Sequence, residues 1–418
     1  MNKSIKQIYA CLELSDDDIK ILVAEYFNTR FNILKVEKIS TNAINDFRII
    51  DKEQLKDDIT KLINDCSSKI GAKIEQLILV LPSYNFKRFP LRSSVICDDG
   101  VLTKKDIARA ITNSLKTKVD FDVMVANSVI NKYTVNGLSS RRLPDKEPCD
   151  EAIIDIDLLC CDKDMAYNYV SIIEECGIKV LDICLNSYAI GKEASLFEES
   201  LKQNIICLNI NKSCTYLSLF SKGKLVSNEV IFDGLYNFVN EIRIKYDISD
   251  TDILKLIKYD VTNNDNNIDS VVYAYNESGA TKSITRKDLN EIIERPLNNL
   301  TDKYISMCGP IIEDGASIFI TGEGQQMSSL IQKIKEKTSA DIKSYYPDTI
   351  GVRDSSLTSI YGALFAYKDK VDLNNLNVSC IDLLEYDSHI DQKDIDTEGE
   401  TITTKIKNLF KQYVQGGD

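Results

Sequence analysis

At 418 residues, 43% apolar and 28% charged, the chain falls in the composition range of globular proteins, with length for two to four domains. Its 64 acidic against 51 basic residues give a net charge of −13 with no long basic tract, which argues against nucleic acid as a partner. A single histidine, His389, in an acidic stretch leaves no basis for a Ser/His/Asp triad or a histidine-rich metal site.

The first residues read as a β-meander: apolar runs at 8–14 and 19–24 flank the turn Ser15-Asp16-Asp17-Asp18, and a third run covers 31–39. A helix follows, with Leu55, Ile59, Leu62, Ile63, Cys66 and Ile70 on one face. Residues 77–81 form an apolar strand stopped by Pro82, and this succession predicts an α/β sheet. Residues 86–162 predict a small self-contained module of strand, helix, strand and strand. Thr103 and Asp106 open its helix as a capping-box variant, with Ile107, Ile111 and Leu115 facing inward. Asp164 is the expected cap of the next helix, with Met165, Val170, Ile173 and Cys176 inward and Gly177 just past its end. A strand over 178–184 and a helix over 187–198 come next.

A second meander, 204–210, 216–220 and 225–231, repeats the plan of the first, so the chain reads as two similar α/β halves facing each other. A polar, helical stretch over 235–305 interrupts the second half. A strand and turn over 315–324, a helix over 326–337 and a helix over 358–368 complete the body. Residues 382–400, with Asp382, Glu385, Asp387, Asp391, Asp394, Asp396, Glu398 and Glu400, read as a disordered acidic linker. Residues 401–415 predict an amphipathic helix. Ile402, Ile406, Leu409, Phe410 and Val414 form its apolar stripe, and Lys405, Lys407 and Lys411 lie off it or at its edge. A tethered helix of this kind fits a lipid headgroup layer; docking on the body is the alternative.

No run reaches the ~18 residues of a membrane span, and the apolar run over 8–12 is too short for a signal peptide, so the chain is expected in the cytoplasm. The twelve cysteines include no CxxC pair and read as small apolar residues of a reducing compartment.

Two meander halves with their turns toward one cleft resemble the actin, sugar-kinase and chaperone-ATPase architecture. Within that plan, Cys161-Asp162-Lys163-Asp164-Met165-Ala166-Tyr167-Asn168 and Cys176-Gly177-Ile178-Lys179-Val180 resemble stretches of the bacterial cell-division FtsA family. The inserted module is similar to that family's subdomain 1C. The resemblance implies an actin-like α/β fold with duplicated ribonuclease H-like halves. Its parts would be subdomain 1A (1–85 and 163–200), 1C (86–162), 2A (201–234 and 306–380) and 2B (235–305). A linker (381–400) and a membrane-targeting helix (401–418) would complete the chain.

The resemblance also implies a nucleotide cleft for ATP with Mg²⁺, in degraded form. Glu13, Ser15 and Lys20 lie in the first phosphate turn, where the family has Asp-Ile-Gly-Thr/Ser, and Glu13 stands where an Asp helps hold hydrated Mg²⁺. Asp16, Asp17 and Asp18 replace small residues there; a solvated hairpin turn is the other reading of them. Asn209, Asn211, Lys212 and Ser213 occupy the second turn, where the family has Asp-Ile-Gly-Gly-Gly-Thr. Gly322 and Gly324 match the adenosine-side loop, and Gly234 a nucleotide-contacting glycine. No catalytic residue is assigned, and hydrolysis is expected to be negligible. The implied partners are a tubulin-like division polymer (FtsZ), further copies of the chain, and lipid at the inner face of the membrane at the division site. The polymer's acidic peptide would meet Arg286, Lys287, Arg295 and Lys303. A pilus-assembly protein of the PilM type, or a sugar or acetate kinase of the same superfold, is the rival reading.

Overall fold

The computed structural model describes residues 7–144, 147–260, 269–277, 280–374 and 378–389. Strands β1 (Gln7–Leu14), β2 (Asp18–Phe27) and β3 (Arg30–Ser40) form the first meander. A two-residue hairpin, β4 (Ile44–Asn45) and β5 (Arg48–Ile49), precedes α1 (Lys52–Ile70). The Asp51 carboxylate caps α1 by accepting from the Gln54 N–H at 3.0 Å, and Gly71 ends it at φ +75°. Strand β6 (Gln76–Leu81) then runs parallel to β1.

Next comes a separate antiparallel sheet. Strands β7 (Lys87–Ile96), β8 (Val123–Val135), β9 (Leu138–Ser140) and β10 (Glu151–Asp162) lie in the order β7-β10-β8-β9, with α2 (Lys104–Ser114) packed on them. The Thr103–Asp106 capping box is fully formed, and Val95, Ile107, Ala110, Ile154 and Ile156 fill a core of its own. Leu115 is the C-cap residue and is half-exposed, not inward as its spacing suggests.

Helix α3 (Lys163–Glu175) is capped by Asp162, whose Oδ1 accepts from the Met165 N–H at 2.9 Å, rather than by Asp164. The reason is that β10 runs up to Asp162, so strand and helix meet without a connecting loop. Gly177, at φ +77°, follows the cap as expected. Strand β11 (Lys179–Leu185) completes a sheet of order β11-β6-β1-β2-β3. The expected helix over 187–198 is two, α4 (Asn186–Glu193) and α5 (Leu196–Glu199), broken where Ser195 turns left-handed.

The second meander is β12 (Ile205–Ile210), β13 (Thr215–Ser221) and β14 (Lys224–Ile231), followed by α6 (Tyr236–Lys245) and α7 (Asp250–Lys255). The polar stretch read as helical also holds a hairpin, β15 (Val271–Glu277) with β16 (Ala280–Thr285). Helix α8 (Arg286–Glu313), β17 (Ser317–Thr321), α9 (Ser328–Lys337) and β18 (Ile342–Ser344) follow, giving a second sheet of order β14-β13-β12-β17-β18. Alternation along β12 divides its side chains. Ile205 and Cys207 enter the central core beneath both sheets, while Ile206, Leu208 and Ile210 enter a second core with α8.

Helix α10 (Thr358–Asn374), longer than the expected 358–368, crosses back and packs on α4. The chain then straps along the first sheet. Cys380 N–H donates to the Ile8 carbonyl at 2.8 Å, Glu75 N–H to the Cys380 carbonyl at 3.0 Å, and Lys73 N–H to Glu385 Oε2 at 2.7 Å. Residues 381–389 are thus seated on the body, unlike the linker expected there: Ile381 and Tyr386 are buried anchors that the surrounding carboxylates obscured. His389 ends the strap against Gly71. Residues 390–418, with the whole expected amphipathic helix, lie outside the described residues. Among the described residues, no helix is long and apolar enough to cross a membrane. All twelve cysteines are free thiols, and all but Cys176 are buried.

Candidate functional site at the cleft

The turns after β1 and β12 face each other across the gap between the halves. Ser15 N–H and Oγ donate to the Asp18 carbonyl at 3.0 and 2.9 Å, which closes the first turn and makes Asp18 the first residue of β2. A two-residue period then puts Asp18 and Lys20 on the same face. Strand register sets Glu13 opposite Lys20 on one side and Lys38 opposite Lys20 on the other.

These side chains pair with one another. Lys20 Nζ lies 3.1 Å from Glu13 Oε2 and 3.6 Å from Asp18 Oδ1, and Ser359 Oγ donates to Glu13 Oε1 at 2.6 Å. Lys38 Nζ reaches Asp18 Oδ2 at 2.9 Å and Glu323 Oε1 at 2.7 Å. From the second turn, Lys212 Nζ comes within 3.3 Å of Asp18 Oδ2. Lys258, on a single π-helical turn after α7, pairs with Glu323 from the far side. Glu13, Asp18 and Glu323 therefore alternate with Lys20, Lys38, Lys212 and Lys258 through the cleft.

The ionisation follows from this packing. Asp18 is 4% exposed, and burial alone would raise its pKa. Lys20, Lys38 and Lys212 outweigh burial and hold it well below the usual carboxylate range. Burial likewise opposes the charge on Lys20, but Glu13 and Asp18 push its pKa above the usual lysine value. Asp17 is raised by burial, against the Ser213 N–H and Lys212, which favour its charge. Burial lifts Asp16 to about 6, although its carboxylate accepts from the Asp46 and Phe47 N–H groups at 2.9 and 3.0 Å. Asp46 and Phe47 both sit at positive φ, +47° and +62°, so Asp16 holds a turn whose backbone is uncommon for such residues. The Asp16–Asp18 segment is accordingly not a solvated hairpin.

Across the gap, Ser213 N–H donates to Asp17 Oδ2 at 3.2 Å. The glycines of the site are needed for close approach. A Cβ on Gly234 would lie 2.4 Å from the Asn211 carbonyl oxygen and 2.5 Å from that of Lys212. One on Gly322, at φ +81°, would lie 2.5 Å from Asn209 Oδ1, and one on Gly324 would lie 2.5 Å from Ile210 Cγ2. At the base of the cleft a buried polar knot joins the halves. Asn228 Oδ1 accepts from Ser187 Oγ and Ser218 Oγ, each at 2.7 Å, and its Nδ2 donates to the Ser83 carbonyl at 2.6 Å.

The structure thus gathers Glu13, Ser15, Lys20, Asn209, Asn211, Lys212, Ser213, Gly234, Gly322 and Gly324 at one place. It adds Lys38, Lys258, Glu323 and Ser359, which the sequence reading did not assign, and it gives Asp17 and Asp18, read there as replacements of small residues or as a solvated turn, partners across the cleft. Lys38 was within reach of strand register; Lys258 and Ser359 carry no local signal.

The four cations on α8 divide into two groups. Arg295 pairs with Glu241 and Lys303 with Asp233, in a groove of about 400 Å³ between α6 and α8 that Asn237, Asn240 and Asn299 also line. Arg286 Nε donates to Ser270 Oγ at 3.3 Å at the start of the helix, beside exposed Lys287. At ~1.5 Å per residue, Arg286 and Lys303 stand about 25 Å apart along the axis.

No family model matches the chain. It is 20% identical over 360 residues to the cell division protein FtsA of Bacillus subtilis (strain 168), covering 83% of this chain and 80% of that protein. FtsA of Enterococcus faecalis (strain ATCC 700802 / V583) is 19% identical over 436 residues, covering 96% and 98%. Among solved structures, a chain of the PilM–PilN type IV pilus biogenesis complex superposes with TM-score 0.56 at 11% identity, covering 86% of this chain and 98% of that one. The ethanolamine utilization protein EutJ of Carboxydothermus hydrogenoformans gives TM-score 0.51 at 9% identity, covering 86% and 89%. With its two facing meander sheets, the cleft between them and this spread of similarity, the chain is a divergent FtsA-like protein on the actin-like fold.

Proposed function

We propose that this protein is a cell-division adaptor that tethers a tubulin-like polymer to the inner face of the cytoplasmic membrane and turns over little or no ATP. The observation that carries the reading is similarity to FtsA proteins along 83–96% of the chain. The α6–α8 groove is the proposed polymer site: an acidic peptide there would take over Arg295 and Lys303 from Glu241 and Asp233. The stripe Ile402, Ile406, Leu409, Phe410 and Val414, with Lys405, Lys407 and Lys411, is the proposed lipid contact. The small sheet β7-β10-β8-β9 is the proposed surface for self-association.

Co-sedimentation with anionic liposomes tests this. The full chain should carry a purified FtsZ polymer into the liposome pellet. Arg295→Glu with Lys303→Glu should leave the polymer in the supernatant while the adaptor still pellets, and removal of residues 401–418 should abolish both. A polymer that stays in solution beside fully liposome-bound wild-type protein would overturn the proposal.

A further inference from the structure

We propose that the cleft is an intramolecular clasp that stands in for a bound nucleotide: Asp17 and Asp18 supply the anions that a phosphate chain would otherwise supply. The inference deepens the preceding reading only in naming ATP as the excluded ligand; neither polymer nor lipid enters its argument or its test.

Backbone N–H groups in a tight turn, backed by a lysine, form an anion-binding concavity. The second turn has this make-up, with the Ser213 N–H and the Lys212 ammonium, and both are already engaged by first-half carboxylates. Asp17 Oδ2 takes the Ser213 N–H at 3.2 Å, and Asp18 Oδ2 takes Lys212 Nζ at 3.3 Å. The remaining cations of the cleft are matched in the same way: Lys20 with Glu13, Lys38 with Asp18 and Glu323, and Lys258 with Glu323. A polyphosphate would enter among Glu13, Asp17, Asp18 and Glu323, meet like charge, and strip buried Lys20 and the partly exposed Lys38, Lys212 and Lys258 of their partners. The space beside Gly234, Gly322 and Gly324 is taken by the chain's own Asn209, Ile210, Asn211 and Lys212. The residues present therefore do not fit ATP with Mg²⁺.

Three of these contacts cross between the halves: Asp17 to Ser213, Asp18 to Lys212, and Lys38 to Glu323. The halves are thus held closed by covalently attached anions at fixed local concentration, and closure does not wait on a ligand. Assembly of such a protein would proceed without a nucleotide cycle.

The test uses the full chain, with Mg-ATP and inorganic triphosphate as probes. Wild type should show no saturable heat of binding up to millimolar probe, and amide exchange over residues 209–214 should be the same with and without it. Asp17→Ser with Asp18→Ser should raise exchange of that turn about tenfold or more without ligand, and triphosphate should restore protection. Should that variant unfold, Lys212→Met, which removes one cross-cleft pair and creates no anion site, should raise exchange of the same turn with no response to triphosphate. Saturable Mg-ATP binding by wild type with protection of residues 209–214 would overturn the inference. So would unchanged exchange of the turn in a folded variant.

Discussion

Replacing Glu193 with glutamine offers a measurement in which pH separates the physical argument from ordinary mutational effects. Glu193 ends α4 and also joins the halves, since the Tyr345 hydroxyl, just past β18, donates to its Oε1 at 3.0 Å. Its Oε2 is buried and has no hydrogen-bond partner among the described residues. Burial raises this carboxyl from the ordinary 4.5 to about 7, with a smaller push from Asp348. The contribution of Glu193 to stability is therefore full below pH 4.5 and fades as pH rises through about 7. At 1.36 kcal/mol per pH unit this amounts to about 3 kcal/mol, and partial solvent access reduces it to roughly 1–2 kcal/mol. Glutamine keeps the shape and the Tyr345 hydrogen bond but never ionises. Thermal unfolding of Glu193→Gln should match wild type at pH 5 and exceed it at pH 8, by roughly 1–2 °C for a chain of this size. An equal shift at both pH values, or a lower midpoint at pH 8, would refute the reasoning.

The remaining predictions concern the cleft walls and the tail. Asp16→Ala removes the acceptor for the Asp46 and Phe47 N–H groups and should cost about 1–2 kcal/mol in urea unfolding. Asn228→Ala leaves Ser83, Ser187 and Ser218 short of partners in the buried knot and should cost about 2–4 kcal/mol, with earlier exchange of the β13 and β14 amides. Phe410→Glu should release the protein from anionic liposomes and leave the melting temperature of the body unchanged; a lower melting temperature with lipid binding intact would mean that the helix docks on the body.

Much of this architecture is legible in local pattern. The buried face of α1 repeats at the helical period, Thr103 and Asp106 announce α2, and the two meanders match in spacing because their strands alternate or run apolar. Errors cluster where a local signal has two readings. Asp162 and Asp164 are equally good caps, and what decides between them is where β10 stops. Hairpin β15–β16 lies in a polar stretch whose Val271, Val272, Tyr273 and Tyr275 are its one local strand signal. The cleft was legible as a place but not as a chemistry. Its defining contact joins Lys38 to Glu323, 285 residues apart, and no periodicity reports a charge supplied from the other half.

The strap and the α6–α8 groove belong to different halves. Residues 379–381 lie against β1 and the start of β6, and the helical residues 383–389 that follow end at Gly71, whereas Arg295 and Lys303 ride on α8 in the second core. Tension applied between the chain beyond His389 and that groove runs across the joint between halves. Any such load is shared by the apolar core, the Asn228 knot and the pairs Asp17–Ser213, Asp18–Lys212 and Lys38–Glu323, so no one of these contacts bears it alone.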